Sequence, residues 1–154
     1  MNEIKNSLNG SGLKIGIAVA RFNEVVTDKL LEGALRQLEL LGVASDDITV
    51  VHVPGAFELP GVCRKLADSK KFDAVIALGA VIRGETSHYD VVVNASTGGV
   101  ANIAAEGKLP VILGILTTDT VDQAMNRAGL KAGNLGASWA STAVEMSNLY
   151  KALS

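Results

Sequence analysis

The sequence has little of several residue types, and each shortage excludes a class of protein. The chain of 154 residues has one cysteine, Cys63, and cannot form an internal disulfide. Only 19% of its residues are charged, with 14 Lys and Arg against 16 Asp and Glu and no long run of either sign. This balance offers no basic surface to nucleic acid or anionic lipid, so we expect neither partner. The apolar runs are far shorter than the ~18 residues that a membrane-spanning helix needs.

Apolar residues, by contrast, are abundant. They make up 48% of the chain before its 16 glycines are counted, whereas soluble domains reach about 45–50% with glycine included. A single domain of this size has limited interior, so we assign the excess to strands buried on both faces and to contacts between subunits. We expect residues 1–13 to be a polar N-terminal segment, since they show no signal-peptide pattern, and residues 14–154 to form one domain. We expect it in the reducing cytoplasm.

Four short apolar runs, each followed by a segment of helical periodicity, predict the secondary structure. The predicted strands are residues 14–20, 48–53, 74–80 and 111–117. The predicted long helices run from after residue 23 to Gly42, and then over about 57–69, 87–106 and 134–152. A short helix follows Thr120, which forms the S/T-x-x-E/Q pattern of a capping box with Gln123.

Val- and Ile-rich strands that alternate with helices are typical of a parallel sheet covered on both faces and joined by right-handed crossovers. We therefore predict an α/β fold, a three-layer α/β/α sandwich with a central four-stranded parallel sheet. Ligands of such sheets bind outside the carboxyl ends of the strands. The loops that matter for function are then residues 21–23, 54–58, 81–88 and 117–119.

The loop after the third strand comes close to a nucleotide-binding motif. Residues 79–86 read GAVIRGET, with Glu85 where the G-x-x-x-x-G-K-[ST] pattern has lysine. A carboxylate repels the phosphates that the lysine holds, which disfavours nucleotide hydrolysis. The N–H groups of Glu85 and Thr86, the Thr86 hydroxyl and the positive end of the next helix remain suited to one phosphate group. The alternative is that Gly84 and Thr86 only shape and cap a turn.

Four other side chains have both a chemical and a purely structural interpretation. His88 lies in the first turn of the helix after this loop, where an imidazole can transfer protons or be a capping or surface residue. Arg127 can bind a phosphate with two N–H groups or satisfy carbonyls at its own helix end. Phe22 can stack on a flat heterocycle or pack against another subunit. Glu58 can accept hydrogen bonds from a polyol or cap a helix.

Other kinds of site find no support in the sequence. No cluster of metal-ligand residues stands out, no G-x-G-x-x-G follows a strand, and Cys63 has no assigned histidine partner. We therefore expect no metal and no cofactor, and we interpret Cys63 as a buried structural thiol.

Several of these loops together resemble one family. The matching blocks are ARFN at 20–23, VPGAFELP at 53–60, GAVIRGETSHYD at 79–90, GILTTD at 114–119 and NRAGLKAGN at 126–134. In this order, over about residues 14–150, they are similar to 6,7-dimethyl-8-ribityllumazine synthase. The resemblance implies the condensation of 5-amino-6-(D-ribitylamino)uracil with 3,4-dihydroxy-2-butanone 4-phosphate, without metal or organic cofactor, as the penultimate step of riboflavin synthesis.

The resemblance also implies a role for each matching residue. His88 is the expected proton-transfer residue. The residues expected to bind the ribitylaminouracil are Phe22, Ala56, Phe57, Glu58, Ala80, Val81, Ile82 and Leu113. Those expected to bind the butanone phosphate are Glu85, Thr86 and Arg127. The chain departs from the family at Leu113, where phenylalanine from the neighbouring subunit is common, because leucine supplies contact but no ring stacking.

The family also implies a homo-oligomer, a pentamer with active sites between adjacent subunits, of which twelve can close into a 60-subunit shell. Two alternatives stay open. The predicted sandwich is flavodoxin-like, so an electron carrier that binds flavin is one, although its first loop would need a Ser/Thr cluster in place of Arg-Phe-Asn. A cage protein without activity is the other, against which the presence of Glu58, His88 and Arg127 argues.

Overall fold

The computed structural model describes residues 1–131 and 133–154, and it has the predicted three-layer architecture. All four strands are parallel, in the order β2-β1-β3-β4. The strands are β1 (Ile15–Ala20), β2 (Ile48–Val53), β3 (Ala74–Ile82) and β4 (Val111–Thr118). The helices are α1 (Glu24–Leu40), α2 (Leu59–Asp68), α3 (His88–Ala105), α4 (Val121–Arg127) and α5 (Leu135–Leu153). Short 3₁₀ turns cover Ser45–Asp47 and Ala56–Glu58.

Two apolar cores lie on opposite faces of the sheet because successive side chains of a strand point to opposite sides. In β1, Ile15, Ile17 and Val19 face α1, α4 and α5, whereas Ala18 and Ala20 face α2 and α3. Each fully buried Val, Leu or Ile contributes about 1.5–3 kcal/mol relative to an exposed one. The core therefore fixes which way every strand faces and, with it, where the strand ends meet.

The observed helix boundaries can be compared with the capping residues that the sequence predicts. The Thr120 hydroxyl accepts the Gln123 N–H at 3.1 Å, and the Gln123 side chain accepts the Thr120 N–H at 3.3 Å, so the predicted capping box is confirmed. Gly42, at φ 98°, follows the end of α1 as predicted. The helix at about 57–69 starts as a 3₁₀ turn, and α2 proper begins at Leu59 with Pro60 in its first turn, where a proline is tolerated.

Two predictions on the strands need correction. The third strand runs to Ile82, two positions further than predicted, because Ile82 pairs with Thr118 of β4. Burial on both faces holds for β1 and for most of β3 but not for β2, where Thr49 and His52 are exposed. β2 and β4 are the edge strands, each with a neighbour on one side only, and Leu113 and Thr117 of β4 are exposed too. In the part of the chain described, no helix is long and apolar enough to cross a bilayer.

Helices α1 and α5 approach each other closely because glycines stand at their crossing. A Cβ at Gly136 would overlap the carbonyl oxygen of Leu30, and one at Gly33 would overlap the Asn134 side chain. Asn134 caps α5 by accepting the Ala137 N–H at 3.3 Å, and its amide donates to the Lys29 carbonyl at 2.8 Å. The crossing therefore joins the two helices through backbone groups and one asparagine.

We predict that Gly136→Ala destabilises the protein by about 1–3 kcal/mol, because the methyl group forces the two helices apart. Gly98→Ala is the matched control, since Gly98 lies inside α3 with no atom within 4 Å of an added Cβ. It should stabilise the fold by about 0.5–1 kcal/mol through helix propensity alone. Urea unfolding measures both changes, and equal effects of the two substitutions would contradict the crossing described here.

Candidate functional site

The loops at the carboxyl ends of β1, β2 and β3 surround a cavity of about 390 Å³. Its wall is formed by Phe22, Asn23, Gly55, Ala56, Phe57, Ala80, Val81, Ile82, Gly84, Thr86, His88, Tyr89 and Val92. Apolar and aromatic side chains predominate, with a few polar groups among them, which is the usual make-up of a small-molecule pocket. The cavity lies where ligands bind in open parallel sheets.

The loop after β1 is held against both neighbouring strands. The Arg21 N–H donates to the Val53 carbonyl at 2.8 Å, and the Phe22 N–H donates to the Pro54 carbonyl at 3.0 Å. These bonds present the Phe22 ring at the cavity with 72% of the residue exposed. An exposed aromatic ring at this place is available for stacking on a flat partner.

Asn23 joins the same loop to β3. Its backbone is left-handed, with φ 64° and ψ 43°, a conformation that asparagine tolerates better than most residues. Its side-chain amide donates to the Ala80 carbonyl at 2.8 Å. The register of β1 with β3 ends at Val19 and Leu78, so this bond takes over where strand pairing stops.

The loop after β2 brings Ala56 and Phe57 to the cavity, and Phe57 is 63% exposed. Glu58 does not line the cavity itself. Its Oε1 atom nevertheless lies beside Gly55, since a Cβ added to Gly55 would come within 3.3 Å of it. The same Cβ would lie 4.0 Å from the Cβ of Phe22. The Glu58 carboxylate therefore lies at the rim, beside the aromatic wall.

The loop after β3 contributes the polar end of the cavity. Thr86 and His88 both line it, and the Thr86 hydroxyl accepts the His88 N–H at 3.3 Å. His88 is the first residue of α3, so free N–H groups and the positive end of an 18-residue helix point toward this loop. An imidazole and a group of N–H and hydroxyl donors are therefore neighbours here.

Four residues expected at the site do not line this cavity, namely Glu58, Glu85, Leu113 and Arg127. Leu113 lies on the edge strand β4 and is 40% exposed. Arg127 is exposed, and its Nη1 donates to the Gln123 carbonyl of its own helix at 3.1 Å. Within one chain, these two side chains belong to the outer surface near the β4 edge and α4.

Five residues of the cavity wall were not predicted to bind a substrate, namely Asn23, Gly55, Gly84, Tyr89 and Val92. A signal existed for Asn23, because asparagine next to a strand end favours a left-handed turn. Tyr89 and Val92 could be placed only once the orientation of α3 was known.

One ion pair lies beside the site. Nε of Arg83 donates to Oδ1 of Asp119 at 2.8 Å, and its guanidinium carbon lies 4.4 Å from the centre of the Tyr89 ring. The hydrogen bond to Asp119 raises the pKa of the Arg83 guanidinium.

Burial raises the pKa of the Cys63 thiol to about 12, which keeps it protonated and supports the structural role expected for it. Among the residues described, no group of three or more His, Cys, Asp or Glu side chains is arranged to hold a metal ion.

These features define an α/β sandwich protein with a candidate small-molecule site at the carboxyl ends of its strands. A family model described as 6,7-dimethyl-8-ribityllumazine synthase matches residues 12–151. The chain therefore belongs to the lumazine synthase family, a transferase family of riboflavin biosynthesis. Membership implies small-molecule substrates and assembly into oligomers.

Replacing Asn23 tests how the first loop is held. Asn23→Gly keeps the left-handed backbone but leaves the Ala80 carbonyl without its donor, and we expect a loss of about 1–3 kcal/mol in unfolding free energy. Asn23→Ala should lose about 1 kcal/mol more, because a Cβ is disfavoured at this φ. Chemical denaturation measures both. Alanine less destabilising than glycine would show that the left-handed conformation is not required.

Proposed function

We propose that the chain catalyses the condensation of 5-amino-6-(D-ribitylamino)uracil with 3,4-dihydroxy-2-butanone 4-phosphate. The products are 6,7-dimethyl-8-ribityllumazine, inorganic phosphate and water. One observation carries the proposal. In a chain of this family, a cavity joins an exposed aromatic ring, Phe22, to a polar end where Thr86 and His88 are hydrogen-bonded neighbours.

The pyrimidine fits the end of the cavity formed by Phe22 and the last residues of β3. Backbone groups of alternate residues point to the same side of a parallel strand. The Ile82 N–H and C=O therefore face the same way as the Ala80 carbonyl, toward the side where β1 has ended. These groups, together with Val81 beside them, supply hydrogen bonds and contact to the edge of the heterocycle while Phe22 stacks on its face.

The ribityl chain runs along the loop after β2 in this proposal. Ala56 and Phe57 give it an apolar wall, and the Glu58 carboxylate at the rim accepts hydrogen bonds from its hydroxyl groups. A carboxylate is suited to this because each of its oxygens accepts more than one hydrogen bond.

The phosphate of the second substrate binds at the start of α3. The N–H groups of Glu85 and Thr86 and the Thr86 hydroxyl act as donors there, and the helix dipole favours negative charge. Glu85 does not line the cavity of the single chain, and the role that we assign to it in this proposal is that of a backbone N–H donor just before α3.

His88 transfers protons in the condensation. An amine of the uracil attacks the butanone carbonyl, water leaves to give an imine, phosphate departs as a carbon-bound proton is lost, and the second nitrogen closes the ring with loss of water. Each step moves a proton, and a single imidazole beside the phosphate end reaches the reacting atoms. Holding both substrates in one cavity supplies much of the remaining acceleration.

A second copy of the chain completes the site. Leu113 and Arg127 lie on the outer surface, away from the chain's own cavity, and are free to reach the cavity of a neighbour. Leu113 would close over the pyrimidine, and Arg127 would bind the phosphate. We propose a homopentamer in the cytoplasm; a closed shell of 60 subunits is the alternative assembly, and light scattering distinguishes the two.

The two alternatives gain no support. The loop after β1 presents Phe22 and Asn23 at the cavity and has no Ser/Thr cluster for a flavin phosphate. A cage without activity gives no reason for Thr86 and His88 to share the polar end of an apolar cavity.

His88→Ala should lower kcat by about 10²-fold, the low end of the ~10²–10⁴-fold that general acid–base catalysis provides. The loss should be no larger because the substrates are still held in position. Lumazine absorbance and released phosphate are followed together, with the rate in buffer subtracted. His52→Ala is the matched control, since His52 is the other histidine and is exposed on β2. An unchanged kcat in His88→Ala would exclude the proton-transfer role.

Arg127→Ala should mainly raise KM for the butanone phosphate, because a charged phosphate partner is lost while His88 remains. Arg36→Ala, which removes a surface arginine of α1 paired with Glu32, is its control and should leave KM unchanged.

Mixing then tests whether the site is shared. When the Arg127→Ala and His88→Ala chains are unfolded together and refolded together, some cavities receive an intact His88 from one chain and an intact Arg127 from the other. Activity should exceed that of either variant refolded alone. No gain in assemblies that light scattering shows to be mixed would indicate a site built from one chain.

A further inference from the structure

The loop that carries the polar end of the site has few hydrogen bonds of its own. Among the residues described, no hydrogen bond joins residues 84–87 to another element of the fold. The bonds that exist are internal, from the His88 N–H to the Thr86 hydroxyl and from the Asp90 N–H to the Ser87 carbonyl. A Cβ added to Gly84 would meet nothing within 4 Å. The position of Thr86 therefore depends on what holds the loop at its two ends.

Arg83 holds the loop at its start through three contacts. Its N–H donates to the Thr118 carbonyl at 2.9 Å, which continues the pairing of β3 with β4. Its side chain binds Asp119 at 2.8 Å and lies over the Tyr89 ring at 4.4 Å. Tyr89 follows His88 in the chain and lines the cavity. One guanidinium thus connects both ends of the loop to the end of β4.

Asp119, in turn, belongs to the turn that starts α4. Its N–H donates to the Gln123 side chain at 2.8 Å, and the Gln123 carbonyl accepts from Arg127 at 3.1 Å. The Arg83–Asp119 pair therefore lies between the loop of His88 and the helix of Arg127.

We infer that Arg83 is a positioning residue which, through Asp119 and Tyr89, sets the place of the Thr86–His88 segment in the cavity. The inference rests on the proposed function, because it concerns the phosphate end of that site. Arginine suits the task, since its planar group can bind a carboxylate and stack on an aromatic face at once, which the ammonium of lysine cannot do.

If Arg83 positions the loop, its replacement should lower activity strongly and stability only slightly. The side chains of Arg83 and Asp119 are 49% and 66% exposed, and ion pairs so exposed contribute little to folding. A displacement of the loop by about 1 Å, however, is enough to slow a reaction about 10²-fold. A purely structural role would change unfolding and leave the substrates bound as before.

The test uses Arg83→Met, Arg83→Lys, Asp119→Asn and the double variant Arg83→Met/Asp119→Asn in the full chain. Arg64→Met is the matched control, because Arg64 makes a closer ion pair, with two hydrogen bonds to Glu106 at 2.5 and 2.6 Å, between α2 and the end of α3. Steady-state kinetics are measured for both substrates, with inorganic phosphate as a competing anion and with the thermal midpoint recorded for each variant.

We expect kcat/KM for the butanone phosphate to fall about 10–100-fold in Arg83→Met, with weaker inhibition by inorganic phosphate. KM for the pyrimidine substrate and the thermal midpoint should stay near those of the wild type. Arg83→Lys should lose less activity than Arg83→Met but should not reach that of the wild type. The double variant should be no less active than Arg83→Met, because Arg83→Met already removes the ion pair with Asp119. Arg64→Met should match the wild type.

Hydrogen exchange of the peptide over residues 83–90 is read independently of activity, and it should be faster in Arg83→Met. An active wild type with unchanged kcat/KM or unchanged exchange in Arg83→Met would overturn the inference and leave the proposed function intact. Equal losses for both substrates would overturn it as well. A wild type no faster than buffer would overturn the proposed function itself, and this inference with it.

Discussion

The pairing of β3 with β1 on one side and β4 on the other is the constraint on which the candidate site depends. On the β4 side the pairing continues to Ile82, but on the β1 side it stops at Leu78. The end of β3 is therefore held along one edge and open along the other. Asn23 satisfies Ala80 at the open edge, and the remaining backbone groups there are available to a ligand without any strand being disrupted. A rigid sheet thus presents unpaired backbone at the place where loops from three strands meet.

The layered fold follows from the sequence because burial on both faces of a parallel strand leaves an unbroken apolar run. β1 and β3 are such runs, and the long helices are recognised by their periodicity and end signals, such as the Thr120 capping box. The exposure of side chains on β2 does not follow from the sequence, because strand order decides which strand lies at the edge. An apolar run carries no information on that order until the crossovers are known.

The candidate site, like the fold, could be predicted only in part. Its loops were predictable because strand ends of a parallel sheet meet at one edge, and the cavity wall includes Phe22, Thr86 and His88 from three separate expectations. The contacts that hold these loops were not predictable. Arg83 and Asp119 are separated by 36 positions and Asn23 and Ala80 by 57, so only the folded chain brings them together. Leu113 and Arg127 lie outside the cavity of their own chain, and the resemblance implied the position of Leu113 as a contribution from a neighbouring subunit.

The structure also shows where part of the high apolar content lies. Large apolar residues that remain exposed in the single chain include Phe22 and Phe57 at the cavity and Leu113 on the β4 edge. Single exposed apolar residues are common on protein surfaces, but both exposed phenylalanines of the chain line the cavity, and an exposed ring costs solvation free energy unless something covers it. On the proposed function, substrate covers the rings and a neighbouring chain covers the edge, so the same surface serves binding and assembly. Low charge is then a requirement of that surface, because charged groups placed there would have to be desolvated both when the substrates bind and when the subunits meet.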